Sequence, residues 1–211
     1  MKILCFGDSI TDMGRDKNAE SFDPWSLGYG YPYVLASKFS EESPLKHQII
    51  NRGISGNRIV DLYARIKSDV WNLKPDVLSI LIGINDIWHE IEHQNGVELE
   101  RFDRVFRMLI EDTKKVLPDL KIILLEPFVL SGVATVGKED RFVEVKEYSA
   151  VIKKIAQDFD CEFVSLQEKF DERALKYGAD KMLWDGVHPT VAGSTLIANE
   201  WLKTFKAKVE R

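Results

Sequence analysis

The sequence predicts a three-layer α/β/α protein on a five-stranded parallel sheet of flavodoxin-like order, forming one domain over residues 1–211. Three observations carry this expectation. Five short runs of Ile, Leu and Val lack the polar alternation of half-exposed strands, as strands covered on both faces do. Amphipathic helical periods lie between them, and alternating strand and helix implies parallel βαβ units with right-handed crossovers. The length suits one hydrophobic core that folds without a disulfide or metal.

In order, the strand runs are Lys2–Phe6, ending in Gly7-Asp8; Gln48–Asn51; Val77–Ile82 after Pro75; Lys121–Leu125 before Pro127; and Glu162–Val164. Leu99, Phe102, Phe106, Leu109 and Ile110 keep helical spacing, as do Val145, Tyr148, Ile152, Ile155 and Phe159. Shorter periods run through Ile59, Leu62, Tyr63 and Ile66, and from Ala192 to the C-terminus. Cys5 and Cys161 fall on the first and last strands, roughly 14 Å apart at about 4.8 Å per strand. A disulfide needs Cα atoms within about 7 Å, so both are expected to be free, buried thiols.

Composition narrows the function. With 45% hydrophobic and 30% charged residues, and 13 Gly and 7 Pro without a period, the chain is neither disordered nor fibrous. A net charge of -5 supplies no positive field for nucleic acid or anionic lipid. The best apolar run, Val77 to Ile84, is too short to cross a bilayer, and the N-terminal run stops at Asp8, too soon for a signal peptide. With few cysteines, this points to a cytoplasmic protein. A compact subunit with exposed aromatics is compatible with a homo-oligomer.

In such a sheet the chemistry sits on loops at the carboxyl ends of the strands. Ser9 in Gly7-Asp8-Ser9-Ile10 stands on the first of these; alone it reads equally as a turn serine. Trp184-Asp185-Gly186-Val187-His188-Pro189 adds an Asp and a His three residues apart, a base and its orienting partner for a nucleophilic serine. Alone, that pair reads as a capping Asp and a structural His. Two further loops offer donors for an oxyanion: Asn51-Arg52-Gly53-Ile54-Ser55-Gly56-Asn57 and Gly83-Ile84-Asn85-Asp86. Each motif is weak alone, and together they occupy the positions the fold predicts.

These four blocks resemble, in order and spacing, those of the SGNH or GDSL hydrolases, with Ile10 for the usual Leu, over nearly the whole chain. The resemblance implies an SGNH fold and an acyl-serine mechanism that requires no metal or organic cofactor. It implies Ser9 as nucleophile, His188 as general base and Asp185 as its orienting acid. The oxyanion hole it implies comprises the Ser9 and Gly56 backbone N–H groups and the Asn85 side chain.

Ser9-Ile10-Thr11-Asp12, Asn51–Asn57, Ile82–Asp86, Trp184–Pro189 and Gly28-Tyr29-Gly30-Tyr31 are similar to the bacterial intracellular acetylxylan esterase branch. The implied substrate is an acetyl ester on short xylo-oligosaccharides, a small-molecule partner. Asp8, Trp25, Tyr29, Trp88 and Trp184 are the candidate substrate contacts, since aromatic faces suit sugar rings; Tyr31 lies beside them, and such residues also serve as packing. Within the family the alternatives are a short-chain arylesterase, a thioesterase or a lysophospholipase.

Two readings from other classes compete. His89-Glu90-Ile91-Glu92-His93 satisfies the H-E-x-x-H pattern of zinc peptidases, although the stretch leaves little room for a long helix and a third ligand is needed. A non-catalytic carbohydrate-binding protein is the other. Gly28-x-Gly30 is no dinucleotide fingerprint, because Tyr33 stands where the third glycine belongs.

Overall fold

The computed structural model describes residues 1–20, 22–44 and 46–210. In chain order its elements are β1 (Lys2–Gly7), α1 (Ser9–Asp12), α2 (Tyr31–Glu42), β2 (Gln48–Gly53), α3 (Ile59–Asp69), β3 (Val77–Leu81), α4 (Ile84–His93) and α5 (Leu99–Val116). β4 (Lys121–Leu125), α6 (Glu139–Phe142), α7 (Val145–Asp158), β5 (Glu162–Val164), α8 (Gln167–Tyr177) and α9 (Val191–Thr204) follow. The five strands form one parallel sheet of order β2-β1-β3-β4-β5. This is the flavodoxin-like order expected.

The apolar runs become strands because helices cover both faces of the sheet. α2 packs against α9 on one side, while α3, α5 and α7 pack in succession on the other. β1 and β3 are buried throughout, apart from partly exposed Lys2. α5 buries Phe102, Phe106, Leu109 and Ile110, the apolar stripe its period predicts. Trp201 of α9 is fully buried and donates its indole N–H to Ser79 Oγ of β3 at 3.0 Å, satisfying both polar groups inside the core. Burying a large apolar side chain stabilises by about 1.5–3 kcal/mol, so these helix faces, rather than intrinsic propensity, hold the layers together.

Three strand ends and one cysteine differ from the sequence reading: β1 runs one residue further, to Gly7, and β2 two residues further, to Gly53. β3 ends at Leu81, one residue early, because the chain turns at Gly83 (φ 131°) into α4. Cys161 lies just before β5 and is half-buried, whereas Cys5 is buried in β1. Both are free, and burial pushes the Cys5 thiol up to about 12 and the Cys161 thiol up to about 11, which disfavours the nucleophilic thiolate. Among the described residues no helix is long and apolar enough to cross a membrane. The first, second and third strands all end on one edge of the sheet, and that edge carries the site.

Candidate active site

At the end of β1 the chain turns through Asp8, and Ser9 becomes the first residue of α1. Asp8 Oδ1 accepts a hydrogen bond from Ile10 N–H at 2.9 Å, capping the turn and fixing the direction of Ser9. Asp8 is fully buried, so its expected place among the substrate contacts is corrected: it presents no surface to a ligand. Burial pushes its carboxyl up to about 7, and its Oδ2 has no hydrogen-bond partner.

Asp185 and His188 lie on a tight turn before α9. Leu183 and Pro189 pair across its base, and Trp184 N–H donates to the His188 carbonyl at 3.0 Å. The turn requires glycine at 186, where φ is +99° and a Cβ would stand 2.7 Å from the Leu130 carbonyl oxygen. Asp185 Oδ1 accepts from the backbone N–H groups of Val187 (2.9 Å) and His188 (2.7 Å), and Oδ2 lies 2.6 Å from His188 Nδ1. Burial opposes ionisation of Asp185, but the His188 ring and these backbone donors outweigh it and hold the carboxyl below the usual range. An ionised Asp185 keeps the proton on Nδ1, so Nε2 offers its lone pair to Ser9 Oγ at 2.9 Å. The loop after β4 braces the turn, with Leu130 N–H donating to Gly186 (2.8 Å) and Ala134 N–H to Asp185 (2.9 Å).

The loop between β2 and α3 carries Gly56 in a left-handed conformation (φ +82°) that favours glycine. Neighbours on both sides hold it. From α1, Asp12 Oδ2 accepts from Ser55 N–H (3.0 Å) and Ser55 Oγ–H (3.1 Å). From α4, the Asn85 amide donates to the Asn57 carbonyl at 3.0 Å, and Asp86 Oδ1 accepts from Ile59 N–H at 3.0 Å. Arg65 of α3 donates to Asn57 Oδ1 (2.7 Å) and to the Gly7 carbonyl (3.1 Å), tying the loop back to the strand that precedes Ser9. Asn85 is nearly buried, and its bond to Asn57 occupies one of its two amide hydrogens.

Asp12, Asn57, Arg65 and Asp86 were given no role in the sequence reading. The signal was available for three of them: Asp12 closes the Ser9-Ile-Thr-Asp motif, Asn57 closes the Asn51–Asn57 motif and Asp86 follows Asn85 directly. Asp86 is almost completely buried; burial pushes it up to about 8, and its Oδ2 lacks a partner.

The expected aromatic contacts divide. Trp184, 58% exposed, stacks on the His188 ring (5.6 Å, 20°), and Trp88 stands 5.9 Å from the same ring. Trp25 and Tyr29 do not join them. They line a separate cleft of about 560 Å³ with Pro24, Tyr33 and Val191, and neither Ser9, Asn85 nor His188 contributes to its walls. Tyr31 is fully buried in the core.

A serine, a histidine and an aspartate joined by short hydrogen bonds, beside a loop and a buried amide, make an arrangement suited to acyl transfer. The family model of GDSL-like lipases and acylhydrolases matches residues 5–196, a span that holds all of these groups. The chain belongs to that family. As a GDSL hydrolase it is a carboxylic ester hydrolase. It is 35% identical over 208 residues to an acetylxylan esterase from Geobacillus stearothermophilus, covering 96% of this chain and 92% of that one. A structure of that esterase superposes with a TM-score of 0.85 at 35% identity, over 96% of this chain and 93% of the other. The esterase has also been solved as catalytic mutants in which a serine, an aspartate or a histidine is replaced by alanine. A protein described as a GDSL-like lipase from Parabacteroides merdae superposes with a TM-score of 0.93 at 37% identity, covering 98% and 96% of the two chains.

In this GDSL hydrolase the His89-Glu90-x-x-His93 pattern does not build a peptidase centre. It lies on α4, a ten-residue helix in keeping with the little room the sequence leaves, and the two histidine rings share a face 5.9 Å apart. Glu90 Oε2 accepts from Gly96 N–H at 3.0 Å and so is committed to closing the loop after the helix. Among the described residues no group of three or more His, Cys, Asp or Glu side chains is placed to hold a metal ion.

Proposed function

We propose that this GDSL hydrolase removes acetyl groups from xylo-oligosaccharides through an acetyl-serine intermediate, with Ser9 as nucleophile and His188 and Asp185 as its partners. The observation that carries the mechanism is the continuous line from Ser9 Oγ to His188 Nε2 (2.9 Å) and from His188 Nδ1 to Asp185 Oδ2 (2.6 Å). As Ser9 Oγ bonds to the ester carbon, its proton passes to His188 Nε2, and Asp185 stabilises the imidazolium. The negative charge on the carbonyl oxygen is received by the Ser9 and Gly56 backbone N–H groups and the free amide hydrogen of Asn85. Collapse breaks the acyl–oxygen bond, and the sugar hydroxyl leaves with the proton from His188. Water then enters on the same base, releasing acetate and restoring Ser9.

The choice of sugar acetate rests on likeness. The relative at 35% identity is an acetylxylan esterase, and a 34% identical structure is described as an acetyl-xylooligosaccharide esterase. Trp184 and Trp88 beside His188 supply flat apolar faces where a sugar leaving group would lie. The test is acetate release from acetylated xylo-oligosaccharides by wild type and Ser9→Ala, with EDTA throughout. Release by wild type alone supports the reading. No release by wild type discards the substrate, and equal release by both discards the nucleophile.

A further inference from the structure

The geometry points to a second, inhibitory site on the same edge of the molecule: we propose that His89 and His93 together bind a divalent transition metal such as Zn²⁺, whose occupancy slows ester hydrolysis. The two histidines stand one helical turn apart on α4, and residues at that spacing share a face. Their rings are 5.9 Å apart between centroids. Two imidazoles on one tetrahedral zinc, with Zn–N near 2.0–2.1 Å, have centroids roughly 5 Å apart, within reach of a small side-chain rotation. His93 is largely open to solvent, which gives an ion a way in. The Glu92 carboxylate lies 3.9 Å from His93 Nε2 through one oxygen, and its other oxygen accepts from Lys138 Nζ at 2.8 Å.

Two cations stand near the pair, Lys138 and Arg58, and each is held by an acidic side chain. Arg58 is engaged by Asp61 (3.0 and 3.2 Å) and by both oxygens of Asn95 (2.6 and 2.9 Å). With two protein ligands, water completes the shell, so the ion is exchangeable rather than resident.

The link to hydrolysis is the position of His89. A Cβ at Gly56 would stand 3.8 Å from His89 Cε1 and 4.0 Å from Nε2, so the imidazole edge faces the Gly56 backbone. A hydrated ion on that edge occupies the approach to Gly56 and restrains the ring against the loop. The inhibitory half of this inference rests on Gly56 serving as an oxyanion donor; the metal site itself does not. Neither histidine acts in the acyl transfer proposed above, so removing His93 leaves the zinc-free enzyme intact.

The experiment uses untagged, chelator-stripped protein and has two arms. Equilibrium dialysis against Zn²⁺ reads binding without activity; hydrolysis of a short-chain aryl acetate under the same Zn²⁺ series reads inhibition. We expect one ion per wild-type chain, lost in His89→Ala and His93→Ala, and reversible inhibition whose half-point rises about tenfold or more in His93→Ala. Dialysis that finds the same binding in wild type and His93→Ala, or none in wild type, overturns the site. Binding lost in both variants with no inhibition of wild type overturns the inhibitory role. Inhibition that is undiminished in His93→Ala assigns the effect to another group, such as His188, and also overturns it. A failure of the sugar-acetate reading leaves the dialysis arm unaffected.

Discussion

The Asn85 side-chain amide donates to the Asn57 carbonyl at 3.0 Å, so the helix following β3 holds the loop following β2. The two proposed oxyanion donors, the Gly56 N–H and the Asn85 amide, are thereby set in one frame. Removing the Asn85 amide takes away a donor and a clamp together. Asn85→Ala is expected to lower kcat by ~10²–10³ with little change in KM, because developing charge exists only in the transition state. Steady-state kinetics on an aryl acetate checks this, and a change confined to KM would move Asn85 to substrate positioning.

Asp12 grips the same loop from the other side through Ser55 N–H and Oγ–H. Because it lies on the helix that starts with Ser9, it couples the proposed nucleophile to the Gly56 backbone. Asp12→Ala should reduce kcat about 10–100-fold by letting the loop shift, since small displacements of a preorganised site cost that much. Ser55→Ala removes only one of the two donors and should cost less. An Asp12→Ala protein with wild-type kcat would show that the loop needs no such tether.

Asp86 offers a test through pH. Its carboxyl is pushed up to about 8 by burial, against an unfolded value near 3.9. The folded chain therefore keeps a proton that the unfolded chain releases, and this contribution to stability is complete below about pH 4 and lost as pH rises towards about 8. Asp8, pushed up to about 7, acts in the same direction. Thermal unfolding from pH 5 to pH 9 should show Tm falling in wild type and falling less in Asp86→Asn, which mimics the neutral acid. Parallel curves would contradict the burial argument.

The fold was legible because buried parallel strands write themselves as short apolar runs. Lys121–Leu125 and Glu162–Val164 match their strands residue for residue. The meeting of Ser9, Asp185 and His188 was legible because the order of the loops along the sheet edge follows from the order of the strands. Asp8 was misjudged as a contact because a polar residue beside a serine looks exposed in a sequence; only the turn through α1 buries it. The positions of Trp25 and Tyr29 depend on the segment between α1 and α2, which has neither strand register nor long helical period to predict it. Arg65 and Asn57 meet only because α3 packs back over the loop it leaves, a long-range consequence that local pattern does not encode.

Trp184 carries the substrate prediction. Its ring stacks on His188 and remains 58% exposed, so it has a free face for a sugar ring. Trp184→Ala should raise KM for acetylated xylo-oligosaccharides about 10-fold, while KM for a small aryl acetate changes little. Equal effects on both substrates would mean that the indole serves the His188 ring instead of the sugar.

The most direct test of the central claim is covalent. A serine-directed fluorophosphonate should form one adduct per chain, mapped by peptide mass spectrometry to Ser9 and absent from Ser9→Ala. His188→Ala should label far more slowly, and both variants should lose at least ~10⁴-fold in ester turnover. An adduct at another residue, or a Ser9→Ala protein that still hydrolyses esters within tenfold of wild type, would contradict the assignment of Ser9 as nucleophile.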